Sequence, residues 1–224
     1  MSDIMELIGE LLCKLDISTD REDMYLTALT HTSYSNEHNN CDNYERLEFL
    51  GDAVLELVVS DYLFNAKHLE EGSMTKMRAC YVCEAALYDY ALKLEFPKYV
   101  RVGEGIKLND TILADMFEAF VGALYVDKGF FVSRKFILDM VVPYVKKGVN
   151  FLQDYKSKLQ ELVQTYKKSV YYDIVKESGP AHDKTFECVV KVDDIVMGHG
   201  VASSKKGAEQ QAAKEALSKQ AKIK

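Results

Sequence analysis

Two short stretches carry carboxylates at spacings that place them on single helix faces. The first is Asn43-Tyr-Glu-Arg-Leu-Glu-Phe-Leu-Gly-Asp-Ala-Val-Leu. At about 100° of rotation per residue, Glu45, Glu48 and Asp52 fall in one narrow stripe. Leu47, Leu50, Val54, Leu57 and Val58 fall on the opposite side, where a core face belongs. The second is Thr111-Ile-Leu-Ala-Asp-Met-Phe-Glu-Ala-Phe-Val-Gly-Ala-Leu-Tyr. Here Asp115 and Glu118, three residues apart, share a face, and Leu113, Phe117, Phe120, Val121 and Leu124 cluster on the other. Gly122 falls beside the carboxylates, where a missing side chain leaves room for a ligand or a facing helix.

If the two acidic faces meet, bare carboxylates must repel one another or take up protons. A hard divalent cation with oxygen ligands relieves that conflict, and Mg²⁺ suits a site with a few carboxylates and positions left for water and substrate phosphate. Such an ion activates water and stabilises charge on a phosphodiester. Each face by itself also reads as an ordinary solvated surface. Phe49 lies next to the first stripe and away from the apolar side, so it is either exposed or covered by a partner subunit or by another helix of the same domain.

These stretches must be held by the elements around them. Ile4, Leu7, Ile8, Leu11, Leu12 and Leu15 recur at helical spacing. Further helices are expected at 21–32, 43–66, 73–93, 110–128 and 130–146, with Ser73 and Asp110 as N-caps. The pattern breaks at Lys147-Gly148-Val149-Asn150. One amphipathic helix follows, marked by Leu159, Leu162, Val163 and Tyr166. Three β-rich segments come next, Val170–Lys176, Thr185–Val192 and Ile195–Ala202, with turns at Ser178-Gly179-Pro180 and Val192-Asp193-Asp194. A last helix from about Ser204 to Lys219 buries Ala208, Ala212, Ala213, Ala216 and Leu217. The expected fold is an all-α domain followed by a small α+β unit of order α-β-β-β-α.

Charge divides along the same line. The chain has a formal net charge of −7, which by itself argues against a polyanion binder. Its first 150 residues hold 25 acidic and 15 basic side chains, however, and its last 74 hold 10 acidic and 13 basic. An acidic part suited to cations is thus joined to a mildly basic part able to approach phosphate. The five cysteines are scattered and odd in number, unlike a disulfide framework. Cys80 and Cys83 form a lone C-x-x-C with no second ligand pair and read as small helix-face residues. No apolar run approaches the length of a membrane span, and the first residues do not read as a signal peptide. The expectation is a soluble, cytoplasmic protein.

Glu45-Arg-Leu-Glu-Phe-Leu-Gly-Asp-Ala-Val-Leu resembles the signature of the ribonuclease III family almost residue for residue. Leu29-Thr-His-Thr-Ser33, Glu71-Gly-Ser-Met-Thr-Lys-Met-Arg78 and Leu113-Ala-Asp-Met-Phe-Glu-Ala119 match further family blocks in the same order. The resemblance implies an endonuclease domain over 1–147, a linker over 148–153 and a double-stranded-RNA-binding domain over 154–224. It implies Glu48, Asp52, Asp115 and Glu118 as metal ligands, with Asp52 and Glu118 central to catalysis. Glu45 and Glu71 would stand at the rim of the same valley, and Phe49 would insert into a socket on the partner of a homodimer. The implied reaction is Mg²⁺-dependent hydrolysis of double-stranded RNA, with Mn²⁺ able to substitute, leaving 5′-phosphate and 3′-hydroxyl ends in RNA processing and decay. One subunit would cut each strand.

His31 is expected to pack or cap a helix rather than act as a base, while Lys76, Arg78 and Lys107 are candidates for phosphate contact. The segment Val102–Asp110 is shorter and less glycine-rich than in many family members. From Tyr155 to Gln220 the chain resembles a double-stranded-RNA-binding domain. Lys205 and Lys206, at a helix N-terminus with its free N–H groups and partial positive charge, make a phosphate clamp. By resemblance, Ser157, Gln160 and Glu161 would reach one minor groove, and the loop Gly179-Pro-Ala-His182 the next. Two departures are visible: Ala202 replaces a frequent glycine, and Gly207 replaces a helix former, which predicts fraying.

Two other readings compete. A duplex-RNA-binding protein of the same fold without chemistry should have lost at least one of the four metal-site carboxylates, yet all are present. A helical di-metal carboxylate protein predicts Glu-x-x-His pairs, absent from both acidic helices.

Overall fold

The computed structural model describes residues 2–38, 41–66, 69–152, 155–179 and 184–219. It divides into two compact units, residues 1–152 and 153–224.

The first unit is helical. Its elements are α1 (Ser2–Lys14), α2 (Glu22–Ala28), α3 (Thr32–Glu37), α4 (Glu45–Asn65), α5 (Glu71–Tyr81), α6 (Glu84–Lys93), a 3₁₀ turn (Phe96–Lys98) and α7 (Asp110–Lys147). The centre is the crossing of α4 with α7. Val54, Leu55, Val58 and Val59 of α4 are buried, as are Leu113, Phe117, Phe120, Val121 and Leu124 of α7. Tyr90 and Phe96 pack at tilted angles against these phenylalanines. Closure of this core, not helix propensity, is what fixes such helices.

Several boundaries differ from the periodicity reading. The stretch 73–93 is two helices, parted at Val82 and Cys83, and α5 begins after Glu70, not at Ser73. Asn109 rather than Asp110 caps α7: its side chain accepts the Ile112 N–H at 2.9 Å. Gly129, at φ 74, interrupts α7; only glycine takes that conformation without strain, so the helices expected at 110–128 and 130–146 are end to end. Leu57, expected in the core, is 56 % exposed. In the stretch expected as linker, the Phe151 ring packs on Tyr81, Tyr90 and Tyr144, and its N–H donates to the Cys80 sulfur at 3.2 Å. Residues 148–152 therefore belong with the helical unit.

The second unit runs α8 (Tyr155–Thr165), β1 (Val170–Ser178), β2 (Thr185–Val192), β3 (Ile195–Ala202) and α9 (Lys205–Ser218). The strands form an antiparallel sheet in the order β1-β2-β3, with Tyr172 opposite Val190 and Cys188 opposite Gly200. Alternate β2 residues Phe186, Cys188, Val190 and Val192 face Leu159, Val163 and the α9 alanines in one core, as a half-buried strand requires. No described helix of either unit is long and apolar enough to cross a membrane.

Candidate active site

Glycine sets the site. A Cβ on Gly51 would lie 1.8 Å from the Glu118 carbonyl oxygen, and one on Gly122 would lie 2.1 Å from that of Leu47. The α4 and α7 backbones thus touch where neither has a side chain. Gly122 makes room for a helix, the second of the two possibilities its position allowed.

That contact brings the acidic faces together. Carboxylate oxygens of Glu48, Asp115 and Glu118 lie within 4.8 Å of one another, in partly buried positions. Among the described residues this is the one group able to hold a metal ion; Cys80 and Cys83 belong to none. Asp52, expected among the ligands, stands outside the group: it is a turn farther along α4 and exposed. Its charge nonetheless acts on Glu118 more strongly than that of any other residue. Glu45 is exposed, and its charge is felt by Glu48. Glu71 is not in the converging group; it lies on α5 beside a separate cleft lined by Ser60, Leu63, Phe64, Met74, Thr75 and Arg78. Phe49 is 83 % exposed.

Burial, then the charges of Asp52, Glu48, Asp115 and Glu56, push the Glu118 carboxyl up to about 8. Burial, then Asp115, Glu45 and Asp52, raise Glu48. Asp115 is raised by burial and held back by a hydrogen bond from the Tyr44 hydroxyl. Three acids pressed together resist ionisation, and hard oxygen donors in this number fit a Mg²⁺-type ion.

Three contributors escaped the sequence reading. Glu84 adds its charge to Asp115 and Glu56 adds its charge to Glu118; Tyr44 touches Asp115. Glu56 alone had a signal, one turn beyond Asp52. His31 caps α3, with Nδ1 accepting the Ser33 N–H at 3.1 Å; burial lowers its proton affinity. Arg78 donates to Ser60.

In the second unit, Ser157, Gln160 and Glu161 are exposed on α8, opposite buried Leu159 and Val163. His182 lies outside the described residues. Lys205 and Lys206 are exposed at the start of α9, which Ser204 caps by accepting the Gly207 N–H at 3.1 Å. Gly207 therefore sits inside a capped first turn rather than a frayed one. The Lys205 ammonium is already engaged, 2.5 Å from the Glu177 carboxylate and 5.5 Å above the Phe186 ring.

A helical domain with carboxylates gathered where two helices cross, followed by an α-β-β-β-α module with a lysine-bearing helix start, defines a nuclease coupled to a duplex-RNA binder. Residues 21–145 match the ribonuclease-III-like family and residues 155–220 the double-stranded RNA binding motif. The chain is 44 % identical over 225 residues to ribonuclease 3 of Onion yellows phytoplasma (strain OY-M), covering 98 % of this chain and 94 % of the relative. It is 49 % identical over 201 residues to ribonuclease 3 of Listeria innocua, covering 85 % and 87 %. The solved nuclease domain of ribonuclease III from Campylobacter jejuni superposes with a TM-score of 0.54 at 35 % identity, over 60 % of this chain and 95 % of that one; it is described as flexible in a region involved in dimer formation. The chain belongs to the ribonuclease III family and is an endoribonuclease with a double-stranded-RNA-binding domain.

Proposed function

We propose that this endonuclease cuts double-stranded RNA as a homodimer, one strand per protomer, at a Mg²⁺ site made by Glu48, Asp115 and Glu118 with Asp52 beside them. The observation that carries this is the convergence of three carboxylates from two helices within 4.8 Å. A divalent cation bound there supplies an activated water and stabilises charge on the phosphate; Mn²⁺ offers the same coordination chemistry. Glu118, which resists ionisation most strongly, gives up its proton when the cation is held. Asp52 keeps a negative field on Glu118 and, being exposed, can reach toward solvent and incoming substrate. The products are 5′-phosphate and 3′-hydroxyl ends.

Phe49 supports the dimer. With Leu57 at 56 % and Phe64 at 77 % exposure it forms an apolar strip on one arc of α4. The occupant is a second copy, whose cleft between Ser60, Met74 and Arg78 receives Phe49. Glu71 lines that same cleft, so the partner that accepts Phe49 also brings its own Glu71 toward Glu48. Glu45 and Glu71 thus serve the valley from its rim.

The second domain delivers the duplex. Lys205 and Lys206 grip phosphates, and Ser157, Gln160 and Glu161 lie along a minor groove, reading A-form shape more than sequence. The loop with His182 is assigned the next groove. RNA processing and decay in the cytoplasm suit this activity. The test is incubation with a long RNA duplex and with the separated strands, with Mg²⁺ or chelator, followed by end analysis. Cleavage confined to the duplex with Mg²⁺, leaving 5′-phosphates, is expected; equal cleavage in chelator contradicts the reading.

A further inference from the structure

Tyr44 is the residue just before α4, between the helix that carries Glu48 and the segment before α3. Its side chain is 7 % exposed. Three contacts fix it. Its backbone N–H donates to the Thr30 carbonyl at 3.0 Å. Its ring stacks on His31, centroids 5.6 Å apart and planes 22° from parallel. Its hydroxyl donates to Asp115 Oδ2 at 3.4 Å.

The support behind Tyr44 is itself rigid. Thr30 is fully buried, and its hydroxyl accepts from Arg101 Nε at 2.9 Å and Nη2 at 2.6 Å while donating to the Leu26 carbonyl at 2.6 Å. The Arg101 guanidinium lies 4.7 Å over the Tyr34 ring. Thr30 and Arg101 form a β-bridge, closed by the His31 N–H to the Arg101 carbonyl and the Arg101 N–H to the Leu29 carbonyl. His31 is held by Ser33 through Nδ1.

We propose that Tyr44 is the positioning residue for Asp115 in the metal site, its hydroxyl holding one carboxylate oxygen so that the side chain is aimed at the point shared with Glu48 and Glu118. This rests on the metal site proposed above. A phenol is a donor toward a carboxylate, whereas a free aspartate rotates and samples several directions. Occupying one oxygen fixes the rotamer and leaves the remaining lone pairs for a ligand role. Ligating carboxylates are ordinarily oriented by such partners, whose loss costs about 10–100-fold in metal affinity or activity. Buried Thr30, bonded to half-buried Arg101, gives the phenol a fixed base that a solvent-exposed donor would lack.

The test uses the full chain with Y44F, which keeps the ring and its stacking on His31, and Y44M, which removes both ring and phenol. Calorimetric titration with Mg²⁺ and with Mn²⁺ in the absence of RNA is expected to show about ten-fold weaker binding in both variants. Cleavage of a long duplex should fall by a similar factor at low Mg²⁺ and recover in Y44F as Mg²⁺ is raised, with KM for RNA unchanged; loss of fold would not be rescued that way. Unaltered metal affinity in either folded variant overturns the assignment of Tyr44. D115N is the separate control: if it binds Mg²⁺ as tightly as the unmutated protein, the metal site fails instead.

Discussion

Gly51 lies directly against the backbone of Glu118, so close that an added methyl group would stand 1.8 Å from its carbonyl oxygen. The residue that permits helix contact and the acid most resistant to ionisation are thereby the same junction. Interiors are packed as densely as organic crystals, and a backbone carbonyl cannot swing aside as a flexible side chain can. G51A is expected to destabilise the chain by about 3 kcal/mol or more, at or beyond the upper end for overpacked cores, and to weaken Mg²⁺ binding because the carboxylates are pushed apart. G72A is the control. An added Cβ there meets nothing within 4 Å, so chemical denaturation should show it neutral or stabilised by up to about 1 kcal/mol.

The proton on Glu118 makes stability depend on pH. Its folded carboxyl titrates at about 8 against a reference of 4.5, so between those values the folded state holds a proton that the unfolded chain releases. Stability then falls as pH rises through that window. Without metal, the unmutated protein should lose stability relative to E118Q from about pH 4.5 to about pH 8, as read by urea denaturation of the two at matched pH. Added Mg²⁺ should release protons and remove the difference. A parallel pH dependence of both proteins would contradict this.

Glu177 pairs with Lys205, the lysine proposed to grip RNA. The ion pair is 2.5 Å long, with side chains 58 % and 40 % exposed, so it is worth at most about 1 kcal/mol. E177Q should tighten duplex binding by up to about five-fold at low salt, with the gain shrinking as salt rises. K205Q should weaken binding and reduce the slope of log affinity against log salt by about 0.9. Filter binding in Ca²⁺ across a salt series reads both.

Phe49 is a candidate anchor of the dimer. Truncating a buried aromatic anchor costs about 2 kcal/mol or more, and a two-fold interface loses it twice. F49A should therefore shift the protein toward monomer in sedimentation equilibrium at micromolar concentration, with little change in the fold by circular dichroism. A dimer as tight as the unmutated one would remove Phe49 from the interface.

The carboxylate faces were legible because helical spacing is a local property: Glu48, Asp115 and Glu118 can be read from their intervals and their apolar backs. Convergence is not local. Asp52 shares the stripe on a helical wheel and follows Gly51, where α7 crosses, yet it is not among the three carboxylates that meet, and no interval in the sequence encodes which of the stripe's acids do. Tyr44 and Glu84 reach the site from separate segments, through contacts as distant as Tyr44 to Asp115. The break at Val82 and Cys83 carries no glycine or proline to mark it. Phe151 looked like linker because a single aromatic after a glycine has no period; three tyrosines across the helical unit receive it. In the second domain β-rich segments separated by turn residues made the strands and their order along the chain readable.

The central claim is that acids from α4 and α7 share one cation that cleavage requires. The measurement that tests it most directly pairs binding and cleavage of a long RNA duplex by E118Q, with Ca²⁺ for the binding arm and Mg²⁺ for the cleavage arm. The account predicts duplex affinity within about two-fold of the unmutated protein and cleavage reduced by at least about 100-fold, beyond what loss of an outer-shell partner costs. Cleavage by E118Q at the unmutated rate would contradict it.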